Sequence, residues 1–269
     1  MNCTKITSAS NPKIKQALAI KNKRAKYKGV AFIIEGPHLI EMALASGHQI
    51  KEAFFTSTFS VKKDVQKLMG QLPKYTGEIF EVTDHILHKL TDTETPQEIV
   101  AIVSYRSITL DDIVFKSIPL IVIVDSVQEP GNLGTIIRTS DAAGADAVII
   151  LKGTCDAFSQ KAIRATAGSI FNIPIVYAET DKLLEWLKAK KTSLAATSLD
   201  AKKSIFNTDL KKPLAFVFGN EAHGVSSEIK RNADTLLKIP IPGKAESLNV
   251  SASAAVCLYE AVRQRSIKV

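Results

Sequence analysis

The chain has 269 residues, of which 45% are hydrophobic and 23% charged, a composition typical of a soluble globular protein with room for two domains. No apolar run is long enough to cross a membrane, and residues 1–5 lack the apolar segment of a signal peptide. Cys3, Cys155 and Cys257 are far apart and outside Cys/His metal-ligand spacing, which argues against a disulfide framework and a zinc site. We therefore expect a cytoplasmic protein with no membrane or metal partner.

The net charge of +8 is concentrated near the N-terminus. Residues 1–34 contain no acid, because the first is Glu35. Such a one-signed segment favours contact with the phosphates of a nucleic acid, although a solvated helix face is the simpler alternative. The basic residues of the segment are Lys5, Lys13, Lys15, Lys21, Lys23, Arg24, Lys26 and Lys28.

The first hundred residues predict a small α/β domain. Residues 8–12 read as a helix start, followed by Ile14, Ala17 and Leu18 on one helical face. Pro37 begins a second helix, and further helices are predicted near 61–70 and 84–90. Strands are predicted at 31–34, 50–55, 78–82 and 99–103. We expect this domain to span 1–105, with a linker at 106–118.

Residues 119–269 predict a second α/β domain in which strands and helices alternate. Apolar runs such as 147–151 and 214–218 suit strands covered on both faces, and therefore a mostly parallel sheet. Strands are predicted at 120–124, 147–151, 173–177, 193–197, 213–218 and 235–239. Helices are predicted near 132–143, 158–167, 181–190, 226–231 and 249–264.

The loop after the strand at 120–124 carries the most unusual residue. Polar loops that follow parallel strands are where open α/β sheets bind ligands. Asn132 is placed to cap the next helix or to brace the loop. Arg138 lies on that helix, in a segment otherwise suited to packing.

Two later loops have the same arrangement. In residues 218–226 the glycines Gly219 and Gly224 flank Glu221, an acid at the carboxyl edge of the sheet, where a polar partner is expected. In residues 239–251 prolines and a glycine stiffen the loop, and Ser247 or Asn249 is placed to cap the last helix.

The sequence lacks the motifs of several common binding and catalytic sites. The glycines at 131 and 134 do not make a dinucleotide-binding fingerprint, and there is no nucleoside triphosphate loop. Glu221 and His223 do not form a zinc motif, and no nucleophile elbow supports a hydrolase.

Together the three loops resemble the motifs of the SpoU (TrmH-type) RNA 2′-O-ribose methyltransferases of the SPOUT superfamily. The N-terminal third is similar to the ribosomal-protein-like substrate-binding domain of larger members. Glu129 stands where the family usually has Asp, which keeps the charge. The first motif is matched by Asn132, Gly134, Arg138 and Thr139, the second by Phe218, Gly219, Glu221 and Gly224, and the third by Ile239, Pro240, Gly243 and 247–251.

The resemblance implies a deep trefoil knot, a homodimer, S-adenosylmethionine as cofactor and methyl transfer to a ribose 2′-hydroxyl of RNA. Gly219, Ile239 and Leu248 would hold the cofactor. Arg138 would orient the hydroxyl and stabilise the alkoxide, because an arginine side chain stays protonated and is not a base. Glu221 or an RNA phosphate would aid proton removal, while Asn132, Ser247 and Asn249 would brace the site or contact the ribose-phosphate.

The resemblance favours ribosomal RNA, most of all 23S, as the substrate. The alternatives are a tRNA ribose methyltransferase, a non-catalytic RNA-binding assembly protein and an ordinary open-sheet methyltransferase. The last leaves the second and third motifs unexplained. We expect deletion of 1–105 to abolish RNA methylation and to leave cofactor binding intact.

Overall fold

The computed structural model describes residues 3–23 and 29–266. The chain forms two compact units: Met1–Ser107 together with Phe158–Phe171, and Ile108–Ala157 together with Asn172–Val269. The bounds predicted from the sequence, with a linker at 106–118, stay a prediction. The structure adds that the stretch 158–171 packs with the first unit.

The helices and strands alternate along most of the chain. The helices are α1 (Pro12–Lys21), α2 (Pro37–Ala45), α3 (Ser57–Ser60), α4 (Gln66–Tyr75), α5 (Asp84–Leu90), α6 (Pro130–Ala142), α7 (Gln160–Thr166), α8 (Thr180–Ala189), α9 (Ser227–Asn232) and α10 (Val250–Ser266). The strands are β1 (Thr4–Ile6), β2 (Ala31–Glu35), β3 (Ile50–Thr56), β4 (Thr76–Val82), β5 (Ile99–Ser104), β6 (Leu120–Val124), β7 (Ala147–Leu151), β8 (Ile175–Ala178), β9 (Ser193–Thr197), β10 (Lys203–Ser204), β11 (Leu214–Phe218) and β12 (Thr235–Lys238).

The first unit is built on a mixed sheet with the strand order β1-β4-β3-β5-β2. The helix start predicted at 8–12 is confirmed, because Asn11 caps α1 by accepting a hydrogen bond from the backbone N–H of Lys13. The predicted helical face packs on the sheet in part: Ile14 and Ala17 are buried, whereas Leu18 is only partly buried. The helix predicted near 61–70 lies further along, at α4.

The second unit is built on a parallel sheet with the strand order β10-β12-β9-β11-β6-β7-β8. All five residues of β6, β7 and β11 are buried, which is the expected consequence of covering both faces of a parallel strand. The predicted fold class, an α/β chain with a mostly parallel C-terminal sheet, is confirmed.

The order of the strands decides where the motif loops meet. From β6 the chain runs outward through β7 and β8, and it returns on the other side so that β11 pairs with β6. The carboxyl ends of β6 and β11 therefore lie side by side at a topological switch point. The helix α10 packs against both α6 and β11, which brings the start of the last helix to the same edge.

Two kinds of site are absent from residues 3–23 and 29–266. In this part of the chain, no helix combines the length and apolar composition that a membrane crossing requires. The same residues contain no group of three or more His, Cys, Asp or Glu side chains placed to hold a metal ion.

Candidate active site

The loop after β6 ends at an acidic helix cap. The Glu129 side chain accepts a hydrogen bond from the backbone N–H of Asn132 at 2.6 Å. Because Pro130 has the backbone angle of a first helical residue, α6 begins two residues earlier than predicted. The predicted capping role of Asn132 is therefore wrong. Its side chain, in the first turn of α6, is left to contact other loops.

The loop after β11 is a tight turn that depends on its two glycines. The backbone of Asn220 and Gly224 exchanges two hydrogen bonds of 2.9 and 2.8 Å. A Cβ on Gly219 would lie 2.2 Å from the backbone of Gly224 and Val225, and Gly224 has a φ of +68°. Neither position admits a side chain without strain. The turn presents Glu221 at its exposed tip.

Glu221 joins the second loop to the first. Its Oε1 accepts hydrogen bonds from Nδ2 of Asn132 at 2.9 Å and from the backbone N–H of Glu129 at 3.3 Å. Its Oε2 accepts from the backbone N–H of Gln128 at 3.2 Å. Asn132 continues the network, because its Oδ1 accepts from Nδ2 of Asn249 at 3.0 Å. The structure thus brings Asn132, Glu221 and Asn249, one from each predicted motif, into a single hydrogen-bonded chain.

This environment changes the acidity of Glu221. Partial burial raises the pKa of its carboxyl, but the hydrogen bonds from Asn132 and from backbone N–H groups, including those of Gln128 and Glu129, outweigh burial and leave the pKa below its usual value. A carboxylate held in its charged form is a weak proton acceptor. The geometry therefore favours a bracing role for Glu221.

The third loop leads into α10 through Asn249. The Asn249 Oδ1 accepts from the backbone N–H of Ser251 at 2.9 Å and of Ala252 at 3.4 Å, so the capping residue of the predicted pair is Asn249. Ser247 is exposed and makes no hydrogen bond to the described residues. Of the predicted cofactor residues, Gly219 is buried, Ile239 is half-buried and Leu248 is 39% exposed.

Arg138 lies on α6 and points to solvent. Among residues 3–23 and 29–266 it makes no hydrogen bond or ion pair. The structure therefore does not join Arg138 to the Asn132–Glu221–Asn249 chain, and it leaves the guanidinium available for a ligand.

The end of β9 is a part of this edge that the sequence patterns did not indicate. In the sheet β9 lies between β11 and β12, so the segment that follows it lies between the second and third motif loops. Thr197 Oγ1 donates to the backbone O of Val217 at 3.0 Å, and the N–H of Ser198 donates to the backbone O of Leu237 at 2.9 Å. Leu199 is 63% exposed. Only the strand order reveals this position.

Cys155, in the loop after β7, is close to the same carboxylates. Burial, followed by the charges of Glu221, Glu129 and Asp156, raises the pKa of its thiol to about 11. A thiol that stays protonated at neutral pH is not a nucleophile.

The basic N-terminal segment is partly neutralised within its own unit. Lys5 pairs with Glu81 at 3.0 Å, Lys21 with Asp92 at 2.9 Å, and Lys13 with both Glu52 and Glu78. These ion pairs offset part of the positive charge of the three lysines, which weakens their predicted role in phosphate binding. Arg24, Lys26 and Lys28 lie outside the described residues.

Known proteins share both parts of the chain. Residues 119–259 match the SpoU rRNA Methylase family, and residues 11–101 match the MRM3-like substrate binding domain. The chain is 34% identical to the 23S rRNA (guanosine(2553)-2′-O)-methyltransferase RlmP of Bacillus subtilis, over 94% of this chain and 97% of that protein.

Solved structures of methyltransferases resemble this chain over nearly its whole length. An AdoMet-bound rRNA methyltransferase from Sinorhizobium meliloti superposes with a TM-score of 0.85 and 34% identity, covering 97% of this chain and 98% of the other. The SpoU methyltransferase AviRb from Streptomyces viridochromogenes, in complex with AdoMet, gives a TM-score of 0.86 and 30% identity, covering 95% and 98%.

Proposed function

Because the chain belongs to the SpoU rRNA methylase family, we propose that it transfers a methyl group from S-adenosylmethionine to a ribose 2′-hydroxyl of 23S ribosomal RNA. The family assignment made from the three motifs is confirmed. The observation that carries the proposal is the hydrogen-bonded chain Asn132–Glu221–Asn249, which assembles all three motif loops at one edge of the sheet.

The choice of 23S RNA is supported by relatives that match nearly the whole chain. One of them is named for guanosine 2553 and another, 29% identical over 91% of this chain, for uridine 2479 of 23S rRNA. These two names specify different nucleotides of the same RNA.

The residues at the edge of the sheet fit the cofactor. The loop after Ile239 is stiffened by Pro240 and Pro242, and Leu248 offers an apolar side chain that the fold leaves 39% exposed. The tight turn at Gly219 provides backbone in place of a side chain. Gly219, Ile239 and Leu248 would hold the adenosyl group, with Leu199 beside them. The chemistry that S-adenosylmethionine supplies when bound is an electrophilic methyl group.

Arg138 is the catalytic residue of the proposal. A ribose hydroxyl attacks only as its O–H bond is lost and its oxygen gains negative charge. The Arg138 guanidinium orients this oxygen and stabilises the developing charge, and an RNA phosphate aids the passage of the proton to water. Ser247 contacts the ribose-phosphate. Asn132, Glu221 and Asn249 are positioning residues that hold the loops.

The remaining features of the proposal concern assembly and location. A homodimer is supported by the family resemblance. A cytoplasmic location follows from the proposed substrate. The domain at 1–105 docks the RNA, and residues 119–269 carry out methyl transfer.

The test is a methyl-transfer assay with ribosomal RNA from cells that lack this protein, followed by mapping of 2′-O-methyl sites. We expect one site in 23S RNA to be restored by the wild-type protein. A site found in tRNA alone, or no methylation of RNA, would refute the proposal.

The same assay tests the role of Arg138. We expect Arg138→Lys to lower kcat about a hundredfold, because an ammonium keeps the charge but not the two-pronged hydrogen bonding of a guanidinium. Near-normal turnover of this variant would show that charge alone is required.

A further inference from the structure

The first motif loop begins with a backbone conformation that needs support. Ser126, directly after Asp125, has a φ of +63°, in the left-handed region that side chains other than glycine rarely adopt. A residue held there costs free energy and persists only where its surroundings enforce it. The groups around Ser126 therefore indicate what holds the loop.

The loop after β7, which belongs to none of the three motifs, supplies much of this support. Thr154 Oγ1 accepts a hydrogen bond from the backbone N–H of Ser126 at 2.9 Å and donates to the backbone O of Val124 at 3.1 Å. The N–H of Cys155 donates to the backbone O of Val127 at 2.8 Å. The Thr154 hydroxyl thus spans the turn from the end of β6 to the start of the motif loop.

Other groups complete the enclosure of Ser126. Its backbone O accepts from Nδ2 of Asn220 at 2.8 Å, and its hydroxyl donates to Asp125 Oδ1 at 3.1 Å. Gly153 has a φ of +90°, and a Cβ there would lie 2.8 Å from the Ser126 hydroxyl oxygen. The loops after β6, β7 and β11 therefore meet at one residue.

The turn at Ser126 determines where the next backbone donors lie. Two and three residues later, the N–H groups of Gln128 and Glu129 donate to the two oxygens of Glu221. Glu221 in turn holds Asn132. A change in the backbone angles at Ser126 would displace these donors, because only one or two residues separate them from the turn.

We propose that Thr154 is a positioning residue for methyl transfer, whose hydroxyl holds the left-handed turn at Ser126 so that Gln128 and Glu129 meet the Glu221 carboxylate. The proposal rests on the proposed function, since it assigns the network around Glu221 to that reaction. It places one determinant of the active loop outside the three motifs.

The experiment compares Thr154→Val, which keeps the shape and removes the hydroxyl, with Thr154→Ser, which keeps the hydroxyl. A matched control is Thr208→Val, in the same unit. The Thr208 hydroxyl also donates to a backbone carbonyl, that of Ser204 at 2.8 Å, before the start of β11. For each protein we would measure kcat, KM for RNA, the Kd for S-adenosylmethionine, thermal unfolding and the Glu221 pKa by carbon NMR.

We expect Thr154→Val to lower kcat about tenfold, with KM and Kd changed less than twofold, because it leaves the Ser126 N–H unpaired and displaces the loop. The pKa of Glu221 should rise toward its ordinary value as the Gln128 and Glu129 donors move away. Thr154→Ser should stay within threefold of the wild-type kcat, and Thr208→Val should keep full activity despite a similar loss of stability.

Three results would overturn the proposal: wild-type kcat in Thr154→Val, an equal loss in Thr154→Ser, or an equal loss in the Thr208→Val control. If the wild-type protein methylates no RNA, the proposed function fails by itself. The Glu221 titration then still decides the role of Thr154, because an unchanged pKa in Thr154→Val would refute it.

Discussion

The contacts of Glu221 favour the proposed bracing role over a role in proton transfer. Its carboxylate is occupied by the Asn132 amide and by the backbone N–H groups of Gln128 and Glu129. These bonds hold the pKa of Glu221 below its usual value, although partial burial opposes them. At neutral pH the group is therefore ionised and already bound, which suits a brace.

Glu221→Gln separates a brace from a general base. A brace loses one acceptor oxygen in this variant, so we expect kcat to fall about tenfold while the pH dependence of kcat keeps its shape. Loss of a general base would cost about 10²–10⁴ in kcat and would remove the acidic limb of the profile. The measurement is kcat from pH 5 to 9 for both proteins, and disappearance of that limb would contradict the bracing role.

The lysines of the N-terminal unit give a second prediction for single residues. Because Lys5 and Lys62 pair with Glu81 and Glu98, we expect the double variant Lys5→Gln/Lys62→Gln to keep the salt dependence of RNA binding. Changing residues 24, 26 and 28 to Gln should reduce the slope of log Kd against log salt by about two to three, as expected for lost phosphate contacts.

Filter binding from 50 to 300 mM KCl would measure both slopes. Equal slopes for the double and triple variants would show that the charges at 24, 26 and 28 have no special part in RNA binding.

The side chains that could be predicted are those whose residue type is unusual for their position. Arg138 on a packing helix and Glu221 in a glycine turn stand out in the sequence. The support given by Thr154 could not be predicted, because a threonine after a strand has many ordinary roles. Its contact with Ser126 exists because β6 and β7 are adjacent in the sheet and because Ser126 has a positive φ.

At the scale of elements, the end of α10 is fixed by side chains that bind backbone carbonyls. The Arg265 guanidinium donates to the backbone O of Ile118, Pro119, Leu210 and Lys212, at 2.8–3.1 Å. Gln264 exchanges hydrogen bonds with the backbone of Thr208 and Leu210 at 3.0 Å each. Glu260 holds this arrangement together, because it accepts from both Arg263 and Gln264 at 2.8 Å.

The lowered pKa of Glu260 predicts that the stability of the fold depends on pH. Hydrogen bonds from Arg263 lower the pKa of Glu260, burial opposes them and Gln264 adds to them, so that the pKa lies at about 2. Because the folded pKa is below the unfolded one, this stabilisation is present above an unfolded pKa of about 4.3 and is lost as the pH falls toward 2. Glu260→Gln should therefore lower the melting temperature at pH 7 and flatten its decline between pH 4.5 and 2.

We expect a decrease of about 2–4 °C at pH 7, which corresponds to about 1 kcal/mol for a chain of this size, since the exposed Arg263 is screened by solvent. Calorimetry from pH 2 to 7 measures the melting temperatures of the wild type and the variant. The control Glu185→Gln changes an exposed acid on α8 and should leave the curve unchanged. Parallel curves for Glu260→Gln and the wild type would contradict the assignment.

Elements with a strong hydrophobic signature were predicted to within a few residues. Each of β6, β7 and β11 consists of five consecutive apolar residues, and a run of this length is typical of a buried strand. The strands β1 and β10 are not predicted, because segments of three and two residues are too short to show the alternation of a strand. The sequence predicts the start of α6 at 132, because Asn is a more common cap than the Glu129 that the structure shows.

At the scale of the whole molecule, the path of the chain lies beyond sequence patterns. No periodicity indicates that β11 enters between β6 and β9, and a knot implied by family resemblance has no local signature. The assignment of 158–171 to the first unit is a similar case. Its helix reads like any other crossover of the second domain, whereas its partners are distant in sequence.

Those partners form a mixed apolar and polar surface within the first unit. Phe158 lies with its ring centre 5.0 Å from that of Phe32 and 4.3 Å from that of Tyr105. Gln160 Nε2 donates to the backbone O of Leu90 at 2.8 Å. The residues of this stretch that are buried include Ala162, Ile163, Ile170 and Phe171.

Deletion of residues 1–107 therefore has a consequence that the domain bounds alone do not predict. The deletion exposes the apolar side chains of 158–171, and exposed patches of this kind cause aggregation. We expect the simple deletion to be largely insoluble.

The same deletion with Phe158→Ser, Ile170→Ser and Phe171→Ser should be soluble. It should bind S-adenosylmethionine with a Kd within about threefold of the full chain, and it should methylate no RNA. The soluble fraction, calorimetric titration and the methylation assay measure these outcomes. If the simple deletion is as soluble as the substituted one, 158–171 does not depend on the first unit for its folding.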